Sequence, residues 1–288
     1  MDLHKLEKEL YTYQGEDKII SSHELAELFK NIPPVSRIKS GVPSMDRILS
    51  DLEAGELVIV TGPTGQGKTT LLMSITNNMA QRETLSAWFT LEVTPRQFVE
   101  KMSSRGMLPL FYLPAKNTEN HIKWLIERII EAKVKYDVKV IFIDHLHQIF
   151  SMERMQGKSL SLEIGDIVAQ IKKIAVDYGL VIFMVAHNTD DKVSPNREPK
   201  MMDIRDSGMI SRLADVVMGV WRIPNSADGT EKRIGELDEN DTRAKVRIWK
   251  NRREGKVGFW LMEHKDHELN EIDLRYKDTY VEYQETDL

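Results

Sequence analysis

Leu57-Val58-Ile59-Val60-Thr61-Gly62-Pro63-Thr64-Gly65-Gln66-Gly67-Lys68-Thr69-Thr70 is the stretch on which the fold of this chain turns. Five apolar or β-branched residues run straight into a glycine loop, and a helical pattern follows from Lys68 to Arg82. A short, uninterrupted apolar run of this kind predicts a buried strand. The loop fits G-x-x-x-x-G-K-[ST] and has the context that spacing requires, strand before and helix after. Glycines let backbone N–H groups close around phosphates, and a helix N-terminus favours negative charge. The loop residues Gly62, Thr64, Gly65, Gln66, Gly67, Lys68, Thr69 and Thr70 are therefore expected to hold a nucleoside triphosphate. Lys68 would neutralise the β- and γ-phosphates, and the Thr69 hydroxyl would be a magnesium ligand. ATP is the expected nucleotide, with dTTP or another triphosphate as alternatives. The competing reading is a flexible glycine turn beside a solvated lysine, and the matched context argues against it.

Outward from the loop, apolar runs alternate with helical segments. Leu85–Thr90, Val138–Ile143, Leu180–Ala186 and Asp215–Ile223 read as four further strands. Thr94–Ser104 reads as a helix, and Thr118 as the cap of another carrying Ile122, Leu125, Ile126, Ile129 and Ile130 at helical spacing. Ile164, Ile167, Val168, Ile171, Ile174, Ala175 and Tyr178 form an apolar helix face stopped by Gly179. This alternation predicts an α/β fold, a mostly parallel twisted sheet flanked by helices. Near the end, Ala244, Val246 and Ile248 alternate with polar neighbours, and Phe259–Met262 returns, so an antiparallel hairpin is expected around Arg252-Arg253-Glu254-Gly255.

Chemistry is expected where strands end. Asp144 closes the third strand on the ligand edge of the sheet, where it could hold magnesium opposite Thr69. Glu92 follows the second strand and could deprotonate the attacking water, although a surface glutamate opening the next helix would read the same. His187 ends the fourth strand and could report loss of the γ-phosphate, although a lone histidine is more often structural. Lys250 and Arg252 lie near the hairpin tip, where an arginine finger could sit and where solvated cations also collect. Asn188–Gly208 shows no obvious element, and its charges nearly cancel. Ser151–Ser159, with Arg154 and Lys158, is equally equivocal, and Pro224–Asp241 reads as an exposed loop.

Composition bounds the rest. The chain has 288 residues, 41% hydrophobic and 30% charged, enough for a sizeable core with a well-solvated surface. No apolar run approaches the ~18 residues of a membrane span, and the charged N-terminus lacks a secretory core. The absence of cysteine removes disulfides, thiolate zinc sites and cysteine nucleophiles. A cytoplasmic protein is expected. The net charge of −5 argues against a polyanion-coating surface, so any nucleic-acid contact must come from a local lining. Ser22–Phe29 reads as a serine-capped helix ended by Asn31-Ile32-Pro33-Pro34. It belongs either to an arm folded on its own domain or to a linker docking on another subunit.

Taken in order, these segments resemble the helicase domain of the DnaB family, particularly its phage primase-helicase and Twinkle branch. The tags are Gly41-Val42-Pro43-Ser44-Met45-Asp46, the glycine loop, Thr90-Leu91-Glu92, Ile143-Asp144-His145, Ala186-His187, Asp203-Ile204-Arg205-Asp206-Ser207-Gly208 with Leu213-Ala214-Asp215, and Trp249-Lys250-Asn251-Arg252. The resemblance implies a RecA-like P-loop domain over 41–275, an N-terminal arm over 1–40 and a tail over 276–288. It implies an ATP-dependent DNA helicase for replication: a homohexameric ring with nucleotide between subunits, moving 5′ to 3′ on single-stranded DNA. Glu92, Lys68, His187, Lys250 and Arg252 would then be catalytic, Thr69 and Asp144 would hold magnesium, and Arg205, Asp206 and Gly208 would face DNA. The chain starts too late for a primase domain, a zinc module or the family's helical N-terminal domain, so a stand-alone motor domain is expected; a separate primase, polymerase or loader is an implied partner. Two rivals remain open at this point: a RecA/RadA- or KaiC-like ATPase without unwinding, and a hydrolysis-poor recruiting module.

Overall fold

Strand Leu57–Thr61 is buried at every position, and its alternate side chains enter two different cores. Val58 and Val60 pack on one side of the sheet, Leu57 and Ile59 on the other. A parallel strand with both faces covered has no solvent side, so its sequence is apolar throughout rather than alternating. The strands Val140–Asp144 and Val181–Val185 divide in the same way, Phe142 and Phe183 to one core, Ile141 and Ile182 to the other.

The computed structural model describes residues 2–104, 106–116, 121–145, 160–186, 198–204, 207–222, 243–265, 268–272 and 280–283. Its elements begin with α1 (Leu3–Tyr11), α2 (Ser22–Lys30), β1 (Arg37–Ile38), α3 (Pro43–Leu49), β2 (Leu52–Glu53), β3 (Leu57–Thr61) and α4 (Lys68–Ala80). There follow β4 (Ser86–Thr90), α5 (Pro95–Ser103), α6 (Ile122–Tyr136), β5 (Val140–Asp144), α7 (Leu160–Tyr178) and β6 (Val181–Val185). The last are α8 (Ser207–Leu213), β7 (Val216–Arg222), β8 (Arg243–Asn251), β9 (Lys256–Lys265), β10 (Glu268–Glu271) and β11 (Tyr280–Tyr283).

The main sheet runs β10-β9-β8-β7-β3-β6-β5-β4, and β11 also pairs with β9. From β7 to β4 every pairing is parallel. From β7 outward every pairing is antiparallel. The chain leaves β3 for the far edge at β4, walks back through β5 and β6, then passes β3 to reach β7. That reversal about β3 places the C-terminal ends of β3, β4 and β5 around one crevice, the usual ligand position in such sheets.

An aromatic ladder stiffens the floor beneath that crevice. Trp88 and Phe142 are register partners on β4 and β5, with stacked rings 4.7 Å apart. Phe142 and Phe183 continue the stack at 5.1 Å across β5 and β6. Trp88 also donates its indole N–H to Thr76 Oγ1 on α4 at 3.0 Å, so the buried polar atom is satisfied.

The α/β architecture and the terminal hairpin agree with the sequence. Some local expectations do not. The helix assigned a Thr118 cap starts at Ile122, and the His121 ring accepts from the Trp124 N–H at 3.1 Å; Thr118 itself lies outside the described residues. The serine cap of α2 is Ser21, reciprocated by Glu24 in a capping box. The stretch Asn188–Gly208 carries structure: a 3₁₀ turn at Met201–Asp203, and the start of α8 at Ser207. Tyr280–Tyr283, expected within a tail, is a strand. The chain divides into two units, residues 1–36 and 37–288. Neither helix of the first unit has a buried residue, and Leu28, Phe29 and Ile32 stand exposed. Among the described residues no helix is long and apolar enough to cross a membrane.

Candidate active site

The glycine loop joins β3 to α4 through three glycines with positive φ: Gly62 at 142°, Gly65 at 77° and Gly67 at 99°. Gly62 is fixed by close approach as well. A Cβ there would lie 2.2 Å from the carbonyl oxygen of Val220 on the adjacent β7, so no side chain fits without moving a sheet strand. Gly67 caps α4 without a side-chain acceptor, and the first turn holds no acidic residue. The first N–H groups of a helix need partners from outside it. Among the described residues no first-turn carboxylate satisfies them, and the positive end of the helix dipole faces the loop. That is the arrangement an anionic phosphate chain fits. Thr64 and Gly65 are exposed at the crest, while Gln66, Gly67, Thr69 and Thr70 are half-buried. Gln66 Oε1 accepts from the Arg222 N–H at 2.8 Å, tying the loop to the end of β7.

Lys68 begins α4 and is buried. Its ammonium donates to the carbonyls of Gly62 at 2.7 Å and Pro63 at 2.9 Å. Burial pushes its pKa below the ordinary lysine value, while the charges of Asp144 and Glu92 pull it back up. Thr69 Oγ1 donates to Asp144 Oδ2 at 2.7 Å, so the two expected magnesium ligands are already in contact. Asp144 is itself buried, which pushes its carboxyl up; the Thr69 hydrogen bond acts in the opposite direction.

Glu92 projects from the segment after β4, its side chain 58% exposed, and its Oε2 lies 3.3 Å from His145 Nδ1. Glu92, Asp144 and His145 offer ligand atoms within 4.8 Å of one another. Carboxylate and hydroxyl oxygens suit a hard divalent cation, so Thr69 and Asp144 fit magnesium, with Glu92 at the rim. Sequence reasoning quoted His145 beside Asp144 but gave it no role; adjacency to a strand-end aspartate was its only signal. It also missed the contact of Gln66 with β7, which no local pattern encodes.

The two remaining basic candidates lie elsewhere. Arg252 donates its backbone N–H to the Asp215 carbonyl at 2.8 Å, and the Asp215 N–H donates to the Leu57 carbonyl at 2.9 Å. Arg252 therefore sits beside the start of β3, whereas Lys68 follows its end. Five strand residues, roughly 16 Å, separate those two levels. Lys250 donates to the carbonyls of Ser211 at 2.6 Å and Ala214 at 2.7 Å. Burial lowers its pKa, and the neighbouring Arg252 charge lowers it further. His187, Arg205 and Asp206 lie outside the described residues, as do Ser151–Ser159 and Pro224–Asp241. Gly208 is exposed in the first turn of α8.

With this geometry in hand, comparison with known proteins is informative. The profile described as DnaB-like helicase C terminal domain matches residues 37–109 and 111–270. The chain belongs to this family. Replicative DNA helicase DnaB of Mycoplasma pneumoniae is 23% identical over 282 residues, covering 84% of this chain and 59% of that protein. A probable plasmid replicative DNA helicase of Chlamydia psittaci is 23% identical over 234 residues, covering 70% and 50%. The chain thus spans about half to three fifths of the length of these relatives. Among solved structures, one described as an ATPase domain superposes with a TM-score of 0.70 at 15% identity, over 87% of this chain and 96% of that one. A DnaB-like replicative helicase, studied for its interactions with primase, gives 0.70 at 15% identity over 94% and 71%. Both establish the RecA-like fold of this DnaB-family domain.

Proposed function

We propose that this chain is the motor of a replicative DNA helicase: it hydrolyses ATP or a related triphosphate and moves on single-stranded DNA as a homohexameric ring. The observation that carries the reading is the division of the site between opposite edges of one sheet. Lys68, Thr69, Asp144 and Glu92 gather at the ends of β3, β5 and β4. Lys250 and Arg252 lie at the start of β3 and β7. Within one chain they do not meet, so a second copy completes the site.

Thr69 and Asp144 would hold a magnesium ion, which when bound supplies positive charge against the β- and γ-phosphate oxygens. The loop amides and Lys68 orient the phosphate chain. Glu92 accepts the proton of the attacking water, and its exposure suits a group that must reach substrate rather than hold the fold. Arg252 and Lys250 of the adjacent copy stabilise negative charge on the transferring phosphoryl group, a role worth several orders of magnitude in rate elsewhere. His187 would sense the γ-phosphate, and the segment Arg205, Asp206 and Gly208 would contact DNA in the ring's opening. Residues 1–40 are read as an arm, and a separate primase, polymerase or loader as a partner. Movement is proposed to run 5′ to 3′, in the cytoplasm.

Strand displacement on a forked duplex with ATP and magnesium, with and without a free 5′ tail, tests this. Unwinding that requires the 5′ tail is expected. Hydrolysis indifferent to single-stranded DNA, with no strand displaced, would overturn the helicase reading.

A further inference from the structure

Asp215 joins α8 to β7, and its two carboxylate oxygens face different structures. Oδ2 accepts from the Leu57 N–H at 2.8 Å and from Lys172 Nζ at 2.5 Å. Lys172 also donates to the Gly55 carbonyl at 2.8 Å, so its ammonium is anchored too. One oxygen is therefore committed to the mouth of β3 and to α7. The other, Oδ1, lies 3.4 Å from Arg252 Nη1. The Asp215 carbonyl meanwhile accepts the Arg252 backbone N–H, and Arg252 Nη2 donates to the Arg212 carbonyl. The Asp215 side chain is 10% exposed, against 50% for Arg252. A carboxylate held by one oxygen thus presents the other to a guanidinium whose remaining surface faces solvent.

The next residue shows what an arginine used only for structure looks like. Arg253 is 20% exposed, pairs with Glu56 Oε1 at 3.0 Å, and donates to the carbonyls of Leu49 and Asp51, both at 2.6 Å. Arg252 has neither that burial nor that closure. Its two terminal nitrogens are engaged, yet half of its side chain remains exposed.

We infer that Asp215 is a positioning residue for hydrolysis: held by Lys172 and the Leu57 amide, it aims the Arg252 guanidinium away from its own sheet toward the nucleotide of a neighbouring copy. This rests on the proposed division of the site between copies. Asp215 itself touches no nucleotide and acts only through Arg252. A planar guanidinium loses the benefit of its fixed fork if it can swing, because a displacement of about 1 Å can cost 10²-fold in rate. Aspartate is suited to the task because its short side chain has few rotamers to average over.

Mixing variants of the full chain provides the test. Lys68→Ala subunits keep the finger but lack a working loop, while Arg252→Ala subunits keep the loop but lack the finger. Each alone is expected to hydrolyse little ATP, and mixed rings are expected to recover activity. No recovery overturns the division between copies, and this inference with it. Recovery is then measured with Lys68→Ala/Asp215→Asn in place of Lys68→Ala. Asparagine retains an oxygen for the Leu57 amide but removes the charge facing both Lys172 and Arg252. The expected result is a recovered kcat at least about tenfold lower, with KM unchanged. Equal recovery would overturn the inference alone. Asp215→Glu, run in parallel, keeps the charge on a longer arm and guards against a folding defect in the asparagine variant. It is expected to fall between the two, and recovery equal to that of Lys68→Ala alone would again overturn the inference.

Discussion

Asp144, proposed as a magnesium ligand, occupies its position at a cost to the fold. It ends a strand, it is buried, and burial pushes its carboxyl above the ordinary value of 3.8. A raised folded-state pKa means that the folded chain binds the proton more tightly than the unfolded chain does. Relative stability is therefore present at low pH and is lost as pH rises through the shifted pKa. Desolvation disfavours its charged form, while Thr69 as its hydrogen-bond partner and Lys68 close by oppose that shift. Asp144→Asn keeps an acceptor for Thr69 and carries no charge. It is expected to melt at a higher temperature than the parent at neutral pH without nucleotide, the difference closing as pH falls toward 3.8. The same variant should lose roughly 10²–10³-fold in ATP turnover, the scale seen when one preorganised electrostatic group is removed. Thermal melts at the two pH values check the first part, and a lower melting temperature at neutral pH would contradict it. Steady-state hydrolysis checks the second.

At the scale of elements, the ladder Trp88–Phe142–Phe183 shows why the central sheet was legible in the sequence. Each ring occupies a position whose neighbours along the strand face the opposite core, so the residues on either side of it are apolar as well. Phe142→Ala removes the middle rung, which is fully buried and stacked on both sides. It should cost about 3–5 kcal/mol, read as a lower urea midpoint at unchanged slope; a loss below about 1 kcal/mol would mean that the stack contributes little. The glycine loop was legible for a related reason, since its function dictates residue types at fixed local spacing. Asp144 and Glu92 could be found because they follow strands already located. What escaped the sequence is held by distant partners. β1 and β2 are two residues each and exist only as a pair. β10 has Leu269 as its buried residue, and the Leu269 N–H donates to Ser74 on α4, 195 positions away. The role inferred for Asp215 depends on Lys172, 43 positions before it, and on Leu57, 158 before it. The N-terminal α1 carries Leu3, Leu6 and Leu10 at helical spacing, yet none of its residues is buried.

At the scale of the whole molecule, charge and architecture pull in opposite directions until copies assemble. The chain carries −5, so a lone copy meets DNA with net repulsion. Affinity for single strands draws chiefly on cations that neutralise phosphates, and in this chain 45 acidic residues outnumber 40 basic ones. The proposed ring would change this by bringing the same segment of six copies to one opening, where their contributions act together. In the proposed ring the same closure would complete the nucleotide site, because Lys250 and Arg252 sit at the opposite end of the strands from Lys68. Assembly, nucleotide and DNA should therefore be linked, each raising the affinity for the others. The expected observation is that fluorescence anisotropy of a labelled oligonucleotide rises sigmoidally with protein concentration. Its midpoint should coincide with ring formation by light scattering and move to lower concentration when a non-hydrolysable triphosphate is added. Raising salt should weaken DNA binding steeply, because each neutralised phosphate contributes to the slope. A hyperbolic curve at concentrations where scattering reports single chains would show that one copy binds DNA unaided, and the ring would lose its necessity for holding the strand.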